Sequence, residues 1–259
     1  SDPVKLLVEA PLAIAQLHRP ERMNAVSLPL YQALENVLRS IADDRSVRAA
    51  VLTGSGRAFC VGADLQAHGS GELSAEQRQA YVAAAQLFNR RIQTLPKPIV
   101  AAVNGHAIGA GLELALSCDF IVVAADAKLR LPELSLGTFV GGGVMYTLAQ
   151  RVGVAKAREL IMLGEFILAG DAVAMGLANR SVPAEETLDT SKQIAVALAA
   201  KAPISMALAK ELLDKAQHLD PDRVLELETE ALLKCMGTHD WREGVQAFKE
   251  KREPAFSGD

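Results

Sequence analysis

Several classes of function lose support from what this chain has in short supply. Cysteine is scarce: Cys60, Cys118 and Cys235 form no CxxC pair and no even framework. That argues against a disulfide scaffold and fits a reducing, cytoplasmic setting. An excess of positive charge is also missing. With 27 Lys and Arg against 31 Asp and Glu, the net charge of -4 speaks against a nucleic-acid partner. No long apolar run is uninterrupted. The most apolar stretch, 98–117, is broken by Asn104, His106, Glu113 and several glycines, so no membrane span is expected. The opening SDPVKLLVEA lacks the basic and apolar regions of a signal peptide. The five histidines show no HExxH or other metal-ligand spacing, and no metal is expected. There is no GxxxxGK[ST], no GxGxxG after a first strand, and no GxSxG elbow. Cys118 has no evident activating partner and reads as a core thiol, and His106 as a loop histidine bonded to backbone.

What is present is enough for a sizeable core in one or two domains: 259 residues, 50% hydrophobic and 22% charged. The chain is organised around residues 104–143. Gly105, Gly109 and Gly111 lead into a short apolar helix expected at 112–117, which carries Glu113. Twenty residues on, a Pro-Glu pair places Glu133 among leucines. Glycines ahead of a helix leave backbone N–H groups free to face a ligand oxygen, and the helix dipole assists. Two glutamates in apolar surroundings can hold different protonation states and serve as acid and base. Taken singly, the glycines read as close packing and Glu113 as a solvated first-turn residue. Neither reading accounts for both glutamates interrupting runs of leucine and alanine, because desolvating a carboxylate is costly. The pattern suggests proton chemistry beside a carbonyl.

Hydrophobic periodicity predicts a hairpin from strands at 4–8 and 12–17, then a helix capped by Ser27 with Pro29 in its first turn. Leu30, Leu34, Val37, Leu38 and Ile41 form its buried stripe. Strands are expected at 49–53, 99–103 and 120–124, and a helix at 74–95 ended by Pro96-Lys97-Pro98. On that helix Tyr81, Leu87, Phe88 and Ile92 read as core or interface positions. Residues 68–72 read as a polar loop, Asp119 as structural, and Gly141–Gly143 as the opening of a helix to about Arg151. Beyond Val154, helices are expected at 155–162, 170–175, 184–200, 203–216, 221–236 and 239–251, with one short strand at 178–182. Pattern alone therefore gives an α/β core followed by helices.

The chain resembles the enoyl-CoA hydratase/isomerase, or crotonase, superfamily. The resemblance rests on HRPERMNA at 18–25, RAFCVGADL at 57–65, VNGHAIGAGLELALSCDF at 103–120, the PE…LG segment at 132–137 and GVQAFKEKREPAF at 244–256. It implies an α/β spiral of repeated ββα turns (1–195) with a helical C-terminal oligomerisation region (196–259). It also implies an acyl-CoA thioester substrate, no metal or redox cofactor, and a homotrimer or a hexamer of paired trimers. By the same resemblance, the N–H groups of Ala63 and Ala110 form an oxyanion hole. Glu113 orients and deprotonates water, and Glu133 passes a proton to the α-carbon. Arg22, Met23, Ala25, Val61, Asp64, Leu65, Gly109, Phe248 and Lys251 line the coenzyme A site. The implied activity is hydration of a 2-enoyl-CoA; the alternatives are a double-bond isomerase or a non-catalytic oligomeric binding protein. Two departures stand out: Ala110 replaces a glycine common in relatives, and Gly141-Gly142-Gly143 replaces a Pro-Gly-Ala-Gly-Gly-Thr pattern. With the second, Phe139, Val140, Val144, Met145 and Tyr146 would reshape the acyl pocket.

Overall fold

The computed structural model describes residues 2–64 and 73–259; Leu65 and the polar loop expected at 68–72 lie outside the described residues. The predicted hairpin forms from β1 (Val4–Glu9) and β2 (Leu12–Leu17), paired antiparallel. Helix α1 (Leu28–Asp43) follows, with Ser27 at its cap position and proline in its first turn. The Ser27 side chain makes no capping bond. Leu30, Leu34, Leu38 and Ile41 are buried together with Tyr31, whereas Val37 is only half-buried.

Three ββα turns then build the body. β3 (Ala49–Gly54) and β4 (Ala58–Cys60) precede α2 (Ala75–Thr94), and β5 (Ile99–Val103) and β6 (His106–Ile108) precede α3 (Ala110–Ser117). β7 (Phe120–Ala124) and β8 (Lys128–Arg130) precede α4 (Val144–Leu163). The first strand of each turn enters a six-stranded sheet ordered β1-β2-β3-β5-β7-β10, where β10 is Arg180–Val182. The second enters a four-stranded sheet ordered β4-β6-β8-β9, where β9 is Ile167–Leu168. Both sheets are mixed: β1 on β2 and β9 on β8 are antiparallel, the rest parallel.

The inner strands β3, β5 and β7 of the large sheet are buried on both faces, which is why they read as continuous apolar runs, whereas the edge strand β1 is largely exposed. Ala50, Leu52, Ala101, Val103, Ile121 and Val123 face the main core. Their alternates Ala49, Val51, Val100, Ala102 and Val122 face a second core, as the two-residue period of a strand requires. That second face is covered by α6 (Thr187–Ala199), whose Ala195, Leu188 and Ile194 pack there. The division expected at residue 195 falls inside α6.

α2 begins with a reciprocal capping box between Ser74 and Gln77. Its Phe88 and Ile92 are buried, and Leu87 faces outward. α4 is interrupted at Gly153 (φ 76°, ψ 156°), so the helix expected to 151 and the one expected from 155 are two segments of one span. α5 (Ala169–Ala174), α7 (Pro203–Ala216), α8 (Pro221–Met236) and α9 (His239–Glu250) complete the chain. Asp119 has the structural role expected: its Oδ2 accepts from Ile99 N at 2.7 Å and Lys210 Nζ at 2.8 Å, tying α7 to β5. Among the described residues no helix is long and apolar enough to cross a membrane. Cys60 and Cys118 are buried free thiols.

Candidate functional site

Helix α3 starts two residues earlier than its pattern suggested, at Ala110, because Gly109 takes a conformation (φ 54°, ψ −124°) that only glycine tolerates. A second reason for glycine is space. A Cβ on Gly109 would lie 2.7 Å from Glu133 Oε1, and one on Gly111 would collide with the Cys60 carbonyl oxygen. The glycines thus bring α3 against β4 and against the second glutamate. His106 sits on β6 rather than in a loop, and its Nδ1 accepts from Lys128 N–H at 3.1 Å.

Ala110 is the first helical residue, so its N–H has no partner four residues back. Its φ is ordinary; the positive φ is confined to Gly109. Ala63 forms a parallel bridge with Val26, in which Val26 N–H donates to Gly62 O at 2.8 Å and Asp64 N–H donates to Val26 O at 2.9 Å. That pattern turns the Ala63 N–H away from Val26. Among the described residues neither N–H donates to another protein group. The two segments touch, since a Cβ on Gly62 would stand 3.7 Å from the Ala110 nitrogen. Two unpartnered donors side by side are what an oxyanion hole requires.

Both glutamates are buried, Glu113 to 6% exposure and Glu133 to 7%. Glu113 follows Leu112 and precedes Leu114, both fully buried, and its Oε1 accepts the Gly141 N–H at 2.6 Å. Burial pushes the Glu113 carboxyl up to about 7; the Gly141 bond opposes the rise, and Glu133 adds to it. Glu133 opens a 3-10 turn (Glu133–Leu136), and burial raises its pKa too, opposed by its own backbone N–H. Its Oε2 is buried without a hydrogen-bond partner. Holding Glu113 there costs roughly 3 kcal/mol when charged, on the order of what one fully buried leucine contributes. The leucines beside it can therefore carry it. Two neighbouring carboxyl groups whose pKa values are both raised by burial are suited to holding and passing protons as a pair.

The segment 18–26 runs beside 61–64, which gathers most of the sequence-derived coenzyme candidates. Val61 N–H donates to Met23 O at 3.3 Å, and Arg19 links both segments by donating to Ala25 O at 2.6 Å and Asp64 Oδ2 at 2.9 Å. Met23 (φ 48°) and Asn24 (φ 56°) are both left-handed, a conformation that costs a non-glycine residue about 1–2 kcal/mol. Asn24 holds it: fully buried, it accepts from Arg19 N at 2.9 Å and donates to the carbonyls of Ser55 at 2.9 Å and Ala58 at 2.8 Å. Arg22 ends the adjoining 3-10 turn. Asp64 is buried and ion-paired with Arg19. Phe248 and Lys251 stand apart from this cluster: Phe248 is 84% exposed on α9, and Lys251 caps that helix in a left-handed conformation. Of the residues named for the acyl pocket, Val140 and Val144 are buried and Phe139 and Met145 exposed. Tyr146 instead donates its hydroxyl to Asp214 O at 2.8 Å, toward α7.

Sequence reasoning missed Arg19 and Asn24 as the struts of this loop, and Gly141 as the donor to Glu113. Only the Arg-Pro and Asn-Ala steps hinted at the first two. No group of three or more His, Cys, Asp or Glu among the described residues could hold a metal ion.

Comparison with known proteins agrees with this architecture. The family model described as enoyl-CoA hydratase/isomerase matches residues 8–259. Crotonyl-CoA hydratase of Syntrophomonas wolfei is 35% identical over 249 residues, covering 96% of this chain and 95% of the relative. 2,3-Dehydroadipyl-CoA hydratase of Escherichia coli is 36% identical over 242 residues, covering 93% of each. The crystal structure of enoyl-CoA hydratase from Bacillus anthracis superposes with a TM-score of 0.94 at 35% identity, covering 99% of this chain and 100% of that one. Sequence and fold agree along nearly the whole length, and the chain belongs to the enoyl-CoA hydratase/isomerase (crotonase) family.

Proposed function

We propose that this protein adds water across the conjugated double bond of a 2-enoyl-CoA thioester, giving the 3-hydroxyacyl-CoA. The thioester oxygen would lie between the N–H groups of Ala63 and Ala110, which stabilise the negative charge it acquires as the water oxygen bonds to C3. Each such donor is worth roughly 3–4 kcal/mol in the transition state. With one proton shared by the coupled pair, the form that reacts has Glu113 charged and Glu133 protonated: Glu113 takes the proton from the water, and Glu133 gives its own to C2 as the electron pair returns from the oxygen. Water is thereby split across the double bond, and the carboxyl pair ends with its protons exchanged.

The observation that carries this reading is the buried pair itself. Glu113 and Glu133 both titrate above the ordinary carboxylate range, and Glu133 Oε2 has no partner in the fold. Double-bond migration needs one carboxyl group to shuttle one proton; hydration uses two, and this chain buries two. Met23, Ala25, Val61, Asp64 and Gly109 border the thioester entrance, with Arg22 beside them, and Phe248 and Lys251 meet the adenine and phosphates from a neighbouring subunit. That sharing requires an oligomer, and the family resemblance makes it a trimer or paired trimers. The exposed Leu213, Leu232, Leu233 and Met236 on α7 and α8 support it, because apolar side chains in such number mark a contact surface.

Two experiments test the reading. Thioesters including crotonyl-CoA and 2,3-dehydroadipyl-CoA, the compounds for which two relatives are named, are assayed for loss of conjugation. Glu113→Gln and Glu133→Gln should each lower kcat at least about 10²-fold with thioester affinity little changed. Near-normal hydration by Glu133→Gln would reduce that residue to a pocket wall. Ultracentrifugation should give a multiple of three subunits, and a stable monomer would remove both the assembly and the shared coenzyme site.

A further inference from the structure

The glycine loop that holds Glu113 is itself held, and the side chains that hold it are amides on α2. Gln86, Asn89 and Gln93 lie at i, i+3 and i+7 along that helix, which places them on one face. Gly142 N–H donates to Gln86 Oε1 at 2.9 Å, and Gly142 O accepts from Gln93 Nε2 at 3.0 Å. Asn89, fully buried between them, presses on the same residue: a Cβ on Gly142 would sit 3.0 Å from Asn89 Cγ. Gly142 and Gly143 both have positive φ, 63° and 78°, and three successive glycines have more conformational freedom to lose than any other tripeptide. A loop of that kind keeps one shape only where bonds impose it. One residue earlier, Gly141 N–H donates to Glu113 Oε1 at 2.6 Å. The same stripe also reaches the backbone of Glu113. Ser117 Oγ lies 2.8 Å from Asn89 Oδ1 and 2.9 Å from Glu113 O, so its one proton is shared between them.

We infer that Gln86 and Gln93 are positioning residues for Glu113: by gripping both polar groups of the Gly142 backbone, they keep the Gly141 N–H aimed at the Glu113 carboxylate. The consequence for catalysis rests on the hydratase reading above; the positioning itself does not.

The titratable groups that interact electrostatically with Glu113 are Glu133 from the turn after β8, Tyr31 from α1, Tyr81 from α2 and Cys60 from β4. None is cationic. The Gly141 N–H is therefore the contact that favours the charged carboxylate, against burial and against Glu133. Releasing the loop leaves those two unopposed, and Glu113 then holds its proton to higher pH.

Gln86→Met and Gln93→Met keep side-chain length and remove the bonding atoms. Infrared difference spectra recorded across a pH titration read the Glu113 carboxyl band directly, identified as the band missing from Glu113→Gln, with no substrate present. In each methionine variant the midpoint should rise by about half to one pH unit, the scale of one hydrogen bond to a carboxylate. Turnover should fall about tenfold with KM within about twofold, the signature of a lost transition-state interaction. Ile92→Val removes a buried methyl from the same helix and should lower the melting temperature without moving the midpoint. An unmoved midpoint in both glutamine variants, or an equal rise in Ile92→Val, overturns the assignment. If the wild-type protein hydrates no thioester, the hydratase reading falls instead, and the infrared midpoints still decide this one.

Discussion

Replacing Glu113 by glutamine should make the protein more stable above neutral pH while lowering its turnover at least about 10²-fold. Burial, with Glu133 adding, lifts the Glu113 carboxyl from its ordinary 4.5 to about 7 against the Gly141 N–H. The native state then binds this proton more tightly than the unfolded chain does. Its contribution to stability is fully present below about 4.5 and is lost as pH rises through about 7. The interval of about 2.5 pH units (7 − 4.5) corresponds to roughly 3 kcal/mol, at about 1.4 kcal/mol per pH unit. Glutamine has no charge to desolvate, and its side-chain oxygen can still accept the Gly141 N–H. Denaturant unfolding of both proteins at fixed protein concentration, from about pH 5 to about pH 8, gives the comparison. The advantage of Glu113→Gln should grow across that range toward roughly 3 kcal/mol. A difference between the two proteins that does not change with pH would refute the reasoning, because Glu113 would then not titrate differently in the folded state.

Three other substitutions separate the remaining parts of the site. Ala110→Pro removes one donor at a helix position proline accepts; kcat should fall about 10²–10³-fold with helix content unchanged, and a normal rate would remove Ala110 from the oxyanion hole. Gly111→Ala drives a Cβ into the Cys60 carbonyl oxygen, so a melting experiment should show a loss of about 3 kcal/mol or more; unchanged melting would mean that β4 and α3 are not packed backbone to backbone. Lys251→Gly relieves a left-handed φ of 55° at the end of α9, so stability should rise by about 0.5–1 kcal/mol while KM for the thioester increases. An unchanged KM would withdraw Lys251 from the coenzyme site.

The sequence announced those parts of the fold whose burial is repetitive. Strands such as β5 (Ile99–Val103) are apolar on both faces and read as runs, and prolines at 203 and 221 open α7 and α8 where expected. β4, β6, β8 and β9 escape the pattern, because two or three residues are too few to show an alternation. The glutamates were legible as charges inside apolar runs, and the oxyanion segments through resemblance. Their supports were not. Asn24 is bonded to carbonyls thirty-one and thirty-four residues away, and Gln86 to a glycine fifty-six residues away; no local pattern encodes such pairs. Even so, amides recurring at 86, 89 and 93 on an alanine-rich helix are a visible stripe. What the stripe faces becomes known only once α2 is laid beside the glycine loop.

Uptake of water separates hydration from double-bond migration. Purified protein is incubated with a conjugated enoyl-CoA in water labelled with heavy oxygen, and the product thioester is weighed by mass spectrometry. Two buried carboxyl groups acting on one water predict a product heavier by one labelled water, with the heavy atom on C3, and loss of that gain in both Glu113→Gln and Glu133→Gln. A product with its double bond moved and no heavy oxygen taken up would contradict the account and leave a single carboxyl shuttling a proton.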